Sequence, residues 1–236
     1  MIILNKKRII FISFIIILSV TCFSLNNKNY PSIQVSSTPV SNHTIVLDAG
    51  HGLPDGGAVG IDGVYESKLN LEIALKLQRI LEASNCTVIL TRSDENGIYE
   101  ENADTIREKK ISDMKKRVDI GNNSNAEIFV SIHMNKIDQN KYSGWQTFYK
   151  NTDEESKTLA SKIQQNLNYF ISKENNREIK SITGIYLTKN VEIPLALVEC
   201  GFLSNLEENS LLQTDKYQEE LAWSIYIGIM DYFNEK

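Results

Sequence analysis

The sequence predicts an α/β domain, a mostly parallel (mixed) sheet of about six strands flanked by helices. Three observations carry that expectation. From residue 44 onward, short β-branched runs alternate with longer stretches of helical periodicity. The roughly 190 residues that follow residue 43 suit one domain of ordinary size. No internal repeat or low-complexity segment interrupts them.

The elements follow in order. Residues 44–47 (TIVL) form a short strand that opens on Asp48-Ala49-Gly50-His51-Gly52, and this glycine-rich loop continues through Gly56, Gly57, Gly60 and Gly63. Residues 66–83 give the clearest helix: Leu69, Ile73, Leu77, Ile80 and Leu81 share one face, and Glu72, Lys76 and Arg79 the other. Residues 87–91 (TVILT) are a buried strand. The charged stretch 93–110 is an exposed, partly helical loop, long enough to raise the question of function or mobility. Ile111, Met114 and Val118 mark a further helix, and residues 128–132 (IFVSI) a third strand ending in His133. A strand over 144–149 precedes a helix carrying Leu159, Ile163, Leu167, Phe170 and Ile171. Strands over 184–188 and 195–198 and a final helix over 217–233 complete the pattern.

Composition excludes several classes. With 42% hydrophobic residues, 23% charged residues and a net charge of −5, the chain is neither disordered nor collagen-like. It has no concentrated basic face of the kind a nucleic-acid binder needs. Three cysteines cannot build a disulfide framework, so the fold must rest on an apolar core. Residues 1–24 read as a signal peptide or N-terminal anchor: Lys6, Lys7 and Arg8 precede an apolar run to Phe23. Fifteen helical residues rise about 22 Å against a hydrocarbon core of about 30 Å, which favours a cleaved signal over a membrane anchor and implies export. Residues 25–43, with Pro31 and Pro39, form a polar linker in which His43 is expected to be solvated. The remaining residues, 44–236, make up the folded domain.

Ligands bind such sheets beyond the carboxyl ends of the strands. His51 follows the first strand, His133 ends the third and Glu199 ends the last, and Glu66 opens the helix that runs back from the same edge. Two imidazoles and two carboxylates meeting there suit a hydrolytic zinc site, with three protein ligands and a fourth group to move the proton. Spacing alone does not say which glutamate is which. Glu66, at a glycine-rich helix entry, is the better ligand, and Glu199, rigid at a strand end, the better base.

The segments IVLDAGHG, ESKLNLEIALKL with Glu66 at its start, TRSD, SIHMN and ALVECGFLSN together resemble the zinc-dependent N-acetylmuramoyl-L-alanine amidases of the Amidase_3 family. The resemblance covers about residues 44–234. It implies that His51, Glu66 and His133 hold one zinc ion per chain and that Glu199 is the catalytic carboxylate. It also implies that peptidoglycan is the substrate, cleaved between muramic acid and L-alanine. The compact layout, a signal-like start and one catalytic domain, is similar to the germination-specific spore-cortex amidases of that family, whose action leads to muramic-δ-lactam. That subgroup would act in the cell wall or in the intermembrane space of a forming spore. A protein activator, as some family members require, belongs to the same expectation.

Further residues have two readings each. Asp48 is a turn former or orients a histidine ligand. Asn135 binds substrate or terminates its strand, and Ser131 is structural. Lys189 stands where the family often has an arginine, in a segment expected to meet a substrate carboxylate. Met134, larger than the usual residue there, is expected to narrow the site. Cys86 and Cys200 lie at opposite ends of their strands, too far apart to bridge, and Cys200 is a small buried apolar residue. Competing functions are a zinc exopeptidase acting on stem peptides, which would want more ligands for a second metal, a vegetative autolysin of the same family, and a non-enzymatic wall-binding domain, which should have lost ligands.

Overall fold

The computed structural model describes residues 42–236; the expected signal peptide or anchor and all but the last two residues of the expected linker lie outside the described residues. Six strands form one sheet in the order β2-β1-β3-β6-β4-β5. They are β1 (Thr44–Ala49), β2 (Thr87–Leu90), β3 (Ile128–Asn135), β4 (Gln146–Lys150), β5 (Lys180–Ile182) and β6 (Leu195–Phe202). The pairs β1–β2, β1–β3, β3–β6 and β4–β5 are parallel; β4 runs antiparallel to β6, which makes the sheet mixed.

Both faces are covered, and strand alternation decides what each receives. On one face Ile45, Leu47 and Ala49 of β1, Ile128, Val130, Ile132 and Met134 of β3, and Ala196 and Val198 of β6 pack against three helices: α1 (Glu66–Ala83), α3 (Glu154–Phe170) and α6 (Asp215–Glu235). On the other, Val46, Phe129, Leu195 and Leu197 meet Val118 of α2 (Ile106–Asn123) and Leu187 of the five-residue α4 (Tyr186–Asn190). A short α5 (Leu206–Leu211) follows β6. Helix α1 forms because its leucines and isoleucines recur at three- and four-residue spacing; Leu69, Ile73, Leu77 and Leu81 are at most 1% exposed. Helix α2 instead starts on a capping box, Thr105 with Glu108.

Four expectations need correction. Residues 184–188, expected as a strand, turn at Gly184 (φ +99°) and then enter α4; the strand lies earlier, at β5. Ile-Tyr-Leu-Thr fits either period over so short a run, and packing of Leu187 and Val191 against the sheet selects the helix. Glu199 does not end its strand, since β6 continues to Phe202. Pairing with β3 passes from His133↔Glu199 to Asn135↔Phe202, so one extra residue of β6 is accommodated as a bulge and the ladder resumes. Met134 does not narrow the site: alternation turns its side chain into the main core, 3% exposed. His43 is only partly solvated. Its ring stacks on Phe233 with centroids 3.8 Å apart, and its Nδ1 lies 2.8 Å from Glu127, so the chain is docked on the domain one residue before β1.

Among the described residues no helix is long and apolar enough to cross a membrane, and Cys86 and Cys200 form no disulfide. Cys200 is fully buried, and burial pushes its thiol far up, which leaves it inert.

Candidate metal centre and active site

Because β1, β3 and β6 are adjacent, the residues at their carboxyl ends are neighbours. His133 and Glu199 are paired directly across β3 and β6, on the face of the sheet opposite the main core. His51 sits two residues beyond β1 with a left-handed backbone, φ +61°. Glu66, first residue of α1, reaches over the edge from the other layer. One atom each from His51, Glu66 and His133 lies within 4.8 Å of the others. Glu66 Oε1 is 3.0 Å from His133 Nδ1 and 3.4 Å from His51 Nε2, and the two imidazoles stand edge-to-face at 5.1 Å.

Glycine makes this approach possible at two positions. A Cβ on Gly50 would fall 2.2 Å from His133 Cε1, and one on Gly57, itself at φ +69°, 2.6 Å from Glu66 Oε2. Glu66 is fixed from several directions: Ala58 N–H donates to Oε2 at 2.8 Å, and Met134 N–H to Oε1 at 3.1 Å. Asn70, one turn along α1, donates to Oε1 at 3.3 Å and to the Gly50 carbonyl at 3.0 Å. Burial alone would raise the Glu66 carboxyl, but His133 and His51 hold it well below the usual range. For His51, burial opposes protonation; the hydrogen bonds to Asp55 and Glu66 outweigh it and push the imidazole up to about 9.

Asp55 is a participant that sequence reasoning missed. Its Oδ2 lies 3.1 Å from His51 Nδ1, and Lys110 from the charged loop and α2 holds the same oxygen at 2.9 Å. The hydrogen bond from His51, with Lys110 behind it, keeps the Asp55 carboxyl below its ordinary range. A carboxylate on the far nitrogen fixes a histidine's tautomer and aims Nε2 at the cluster. The signal was its place four residues after His51, overlooked because the loop read as glycines.

Asp48 is neither a turn former nor a histidine partner. It lies inside β1, fully buried, and accepts from Arg117, from Thr91 Oγ1 at 2.8 Å and from Ser131 Oγ at 2.5 Å. Arg117, from α2, also pairs with Asp113 and donates to the carbonyls of Ala49 and His51. Arg92, in the TRSD segment, donates to the carbonyls of Ala49, Gly50 and Ser67. Two guanidinium groups therefore pin the backbone of residues 49–51, from which His51 projects. Asn135 is the last residue of β3, with its carbonyl accepting from Leu203 at 2.8 Å. Lys189 is not brought to the cluster. It is exposed in α4, beside Asn190, whose carbonyl bonds Asn122 at the end of α2; that end lies on the opposite edge of the sheet.

The donor set fits a divalent cation of the zinc type: two nitrogens and one carboxylate oxygen converge, held by buried hydrogen bonds. Glu199 stands beside them without joining the cluster. Its Oε2 is buried and has no hydrogen-bond partner, and burial pushes its carboxyl up to about 7 against the pull of His133. A buried carboxyl poised near neutrality next to a metal-type cluster is equipped to exchange a proton with a bound reactant.

Comparison with known proteins agrees with this geometry. The family model described as N-acetylmuramoyl-L-alanine amidase (Amidase_3) matches residues 45–231. The germination-specific N-acetylmuramoyl-L-alanine amidase of Bacillus subtilis is 39% identical over 233 residues, 98% of each chain. The amidase LytC of the same organism is 31% identical over 83% of this chain and 36% of its own length. Among solved structures, the CwlD amidase of Clostridioides difficile in complex with the GerS lipoprotein superposes with a TM-score of 0.80 at 48% identity, covering 83% of this chain and all of that one. Ligand-type residues gathered at one edge of the sheet and a family match over residues 45–231 have one meaning: this chain belongs to the N-acetylmuramoyl-L-alanine amidases of the Amidase_3 family, enzymes that act on peptidoglycan.

Proposed function

We infer that the chain is a zinc amidase that cuts the amide between the lactyl group of N-acetylmuramic acid and L-alanine, in the service of spore-cortex maturation and muramic-δ-lactam formation. The single observation that carries the chemistry is the convergence of His51, Glu66 and His133 beside an unpartnered Glu199. His51 Nε2, Glu66 and His133 would hold the ion. Zinc there supplies a Lewis acid that activates water and polarises the scissile carbonyl. Glu199 takes the proton from the attacking water and returns it to the alanine nitrogen as the amide bond breaks. Asp55 keeps His51 in the ligating tautomer, and Arg117 and Arg92 hold the loop beneath it.

The spore-cortex role is supported by the 39% identity, end to end, with a germination-specific amidase. A similar protein whose structure was solved in complex with a lipoprotein supports a protein partner for this chain as well. Action outside the cytoplasm follows from the wall substrate. The decisive experiment is digestion of cortex peptidoglycan with the zinc-loaded chain and product analysis by mass. New L-alanine N-termini and peptide-free muramic acid are expected. Alanine left on muramic acid would indicate a stem-cleaving exopeptidase instead.

Two further outcomes follow from the ligand chemistry. To ligate, His51 must give up a proton that it keeps to about pH 9. Zinc uptake by the metal-free chain at pH 7.5 should therefore release close to one proton from this site, and affinity should climb as pH rises towards 9. Calorimetry in buffers of different ionisation enthalpy measures both; proton-independent uptake would contradict the assignment of His51. Asp55→Asn should lower zinc affinity about 10- to 100-fold while leaving the fold intact, read by competition with a chelating dye.

A further inference from the structure

The ends of β3 and β6 lead into a second feature that the proton chemistry leaves unused. Lys136 follows directly on β3 and Ser204 lies two residues beyond β6; between them opens a cavity of about 660 Å³, lined by Ile61, Lys136, Ile137, Asp138, Lys141 and Ser204 among others. Its walls are tied together. Ile137 N–H donates to Ser204 Oγ at 3.2 Å, Asn205 Nδ2 to the Asn140 carbonyl at 2.8 Å, and Gln213 Nε2 to Asp62, next to Ile61, at 2.7 Å. The cavity also adjoins the metal cluster. Ala58 N–H donates to Glu66 Oε2 at 2.8 Å, and the next carbonyl, of Val59, accepts from Lys136 Nζ at 2.9 Å.

Reach and charge select an occupant. Extended backbone advances about 3.3 Å per residue, so Lys136 lies about 10 Å beyond His133 along the strand. An extended peptide advances by a similar step, about 3.3–3.6 Å per residue. A substrate whose first amide nitrogen sits at the cluster and whose peptide runs along the β3 direction carries its next residues over this cavity. The glycan half of the substrate is uncharged near the scissile bond, whereas the stem peptide carries free carboxylates. Two ammonium groups at the cavity, in a chain of net charge −5, match the peptide half. Asp138, also in the lining, confines an anion to the neighbourhood of the lysines. Ile61 and Ile137, 55% and 39% exposed, present apolar surface suited to alanine methyl groups.

We propose that this cavity is the subsite for the acidic residue that follows L-alanine in the leaving peptide, with its free carboxylate received by Lys136 and Lys141. The assignment rests on the amidase function inferred above, and its test separates the two. N-acetyl-L-alanyl-D-glutamate and its isoglutamine amide are titrated into the zinc-loaded chain at low salt, with backbone amide shifts followed by NMR. The free acid should bind about fivefold more tightly than the amide, the factor expected from an exposed charge pair at the upper end of its range. Shifts should centre on residues 136–141 and 204, and the preference should shrink as salt is raised. Lys141→Met should abolish the preference and Lys141→Arg should restore it. Equal binding of acid and amide, shifts elsewhere, or a preference that survives in both Lys141→Met and Lys136→Met would overturn the subsite. A failure of the amidase function itself would appear in the peptidoglycan digest, whatever the dipeptides do.

Discussion

Replacing Glu199 by Gln should lower kcat for amide hydrolysis by about 10²–10⁴-fold with zinc still bound, because the carboxylate proposed to move the proton is gone while the three proposed ligand residues remain. Zinc content by elemental analysis, together with kcat on muropeptides, checks this; a zinc-replete variant with full activity would remove Glu199 from the mechanism. The same substitution should stabilise the metal-free protein at alkaline pH. Burial pushes the Glu199 carboxyl up to about 7, whereas an unfolded glutamate titrates near pH 4.3. The folded chain thus holds the proton more tightly than the unfolded one. Destabilisation by the carboxylate builds as pH climbs from about 4.3 to about 7 and is constant above that. Urea melts of the metal-free forms should coincide at pH 4 and diverge in favour of Glu199→Gln at pH 8. Equal stability at both values would contradict the buried, unpartnered environment of Oε2. On the proposed mechanism the site keeps a group that serves the reaction and is costly to the fold.

Arg117→Met should be the most damaging change to the fold. Arg117 is 2% exposed and faces a fully buried Asp48. Burial alone would raise the Asp48 carboxyl; Arg117, with hydrogen bonds from Ser131 and Thr91, holds it below the usual range, so it is ionised. Removing the guanidinium strands that charge, at a cost of about 3–5 kcal/mol. For a domain of this size that is a fall in Tm of about 10 °C. Adding Asp48→Asn should cost less than the sum of the two single changes, since the stranded charge is then absent. Arg117→Lys keeps the charge without the planar fork that spans Asp48, Asp113 and the His51 carbonyl. It should recover part of the stability but leave zinc affinity reduced, because the loop bearing His51 loses an anchor. Thermal melts and zinc titration separate the two effects. A near-wild-type melt for Arg117→Met would mean that Asp48 finds another partner.

Local pattern made some of this molecule legible. Helix α1 declares itself through the spacing of Leu69, Ile73, Leu77 and Leu81, and β1 and β3 through β-branched runs that lead to His51 and His133. The gathering of His51, Glu66 and His133, with Glu199 paired beside His133, could be anticipated because a parallel sheet delivers strand ends to one edge. Where periodicity was too short to discriminate, as at residues 184–188, the expectation failed and packing decided. The antiparallel return of β4 beside β6 leaves no mark in sequence, because strand pairing depends on a distant partner. Lys189 looked attractive by resemblance alone, and the path of α4 carries it to the wrong edge.

The sequence by itself determined the layer architecture, the apolar faces and the four side chains that are candidates for metal ligation and proton transfer, since these depend on residue type and near-neighbour spacing. Tertiary structure alone decided which groups hold them in place. Asp48 belongs to Arg117 rather than to a histidine, Asp55 with Lys110 belongs to His51, and the bulge in β6 leaves Glu199 inside a strand beside His133. These pairings join residues up to 69 positions apart on different elements. The energy of burying a charge is settled by whatever the fold places next to it, and no local pattern encodes that neighbour.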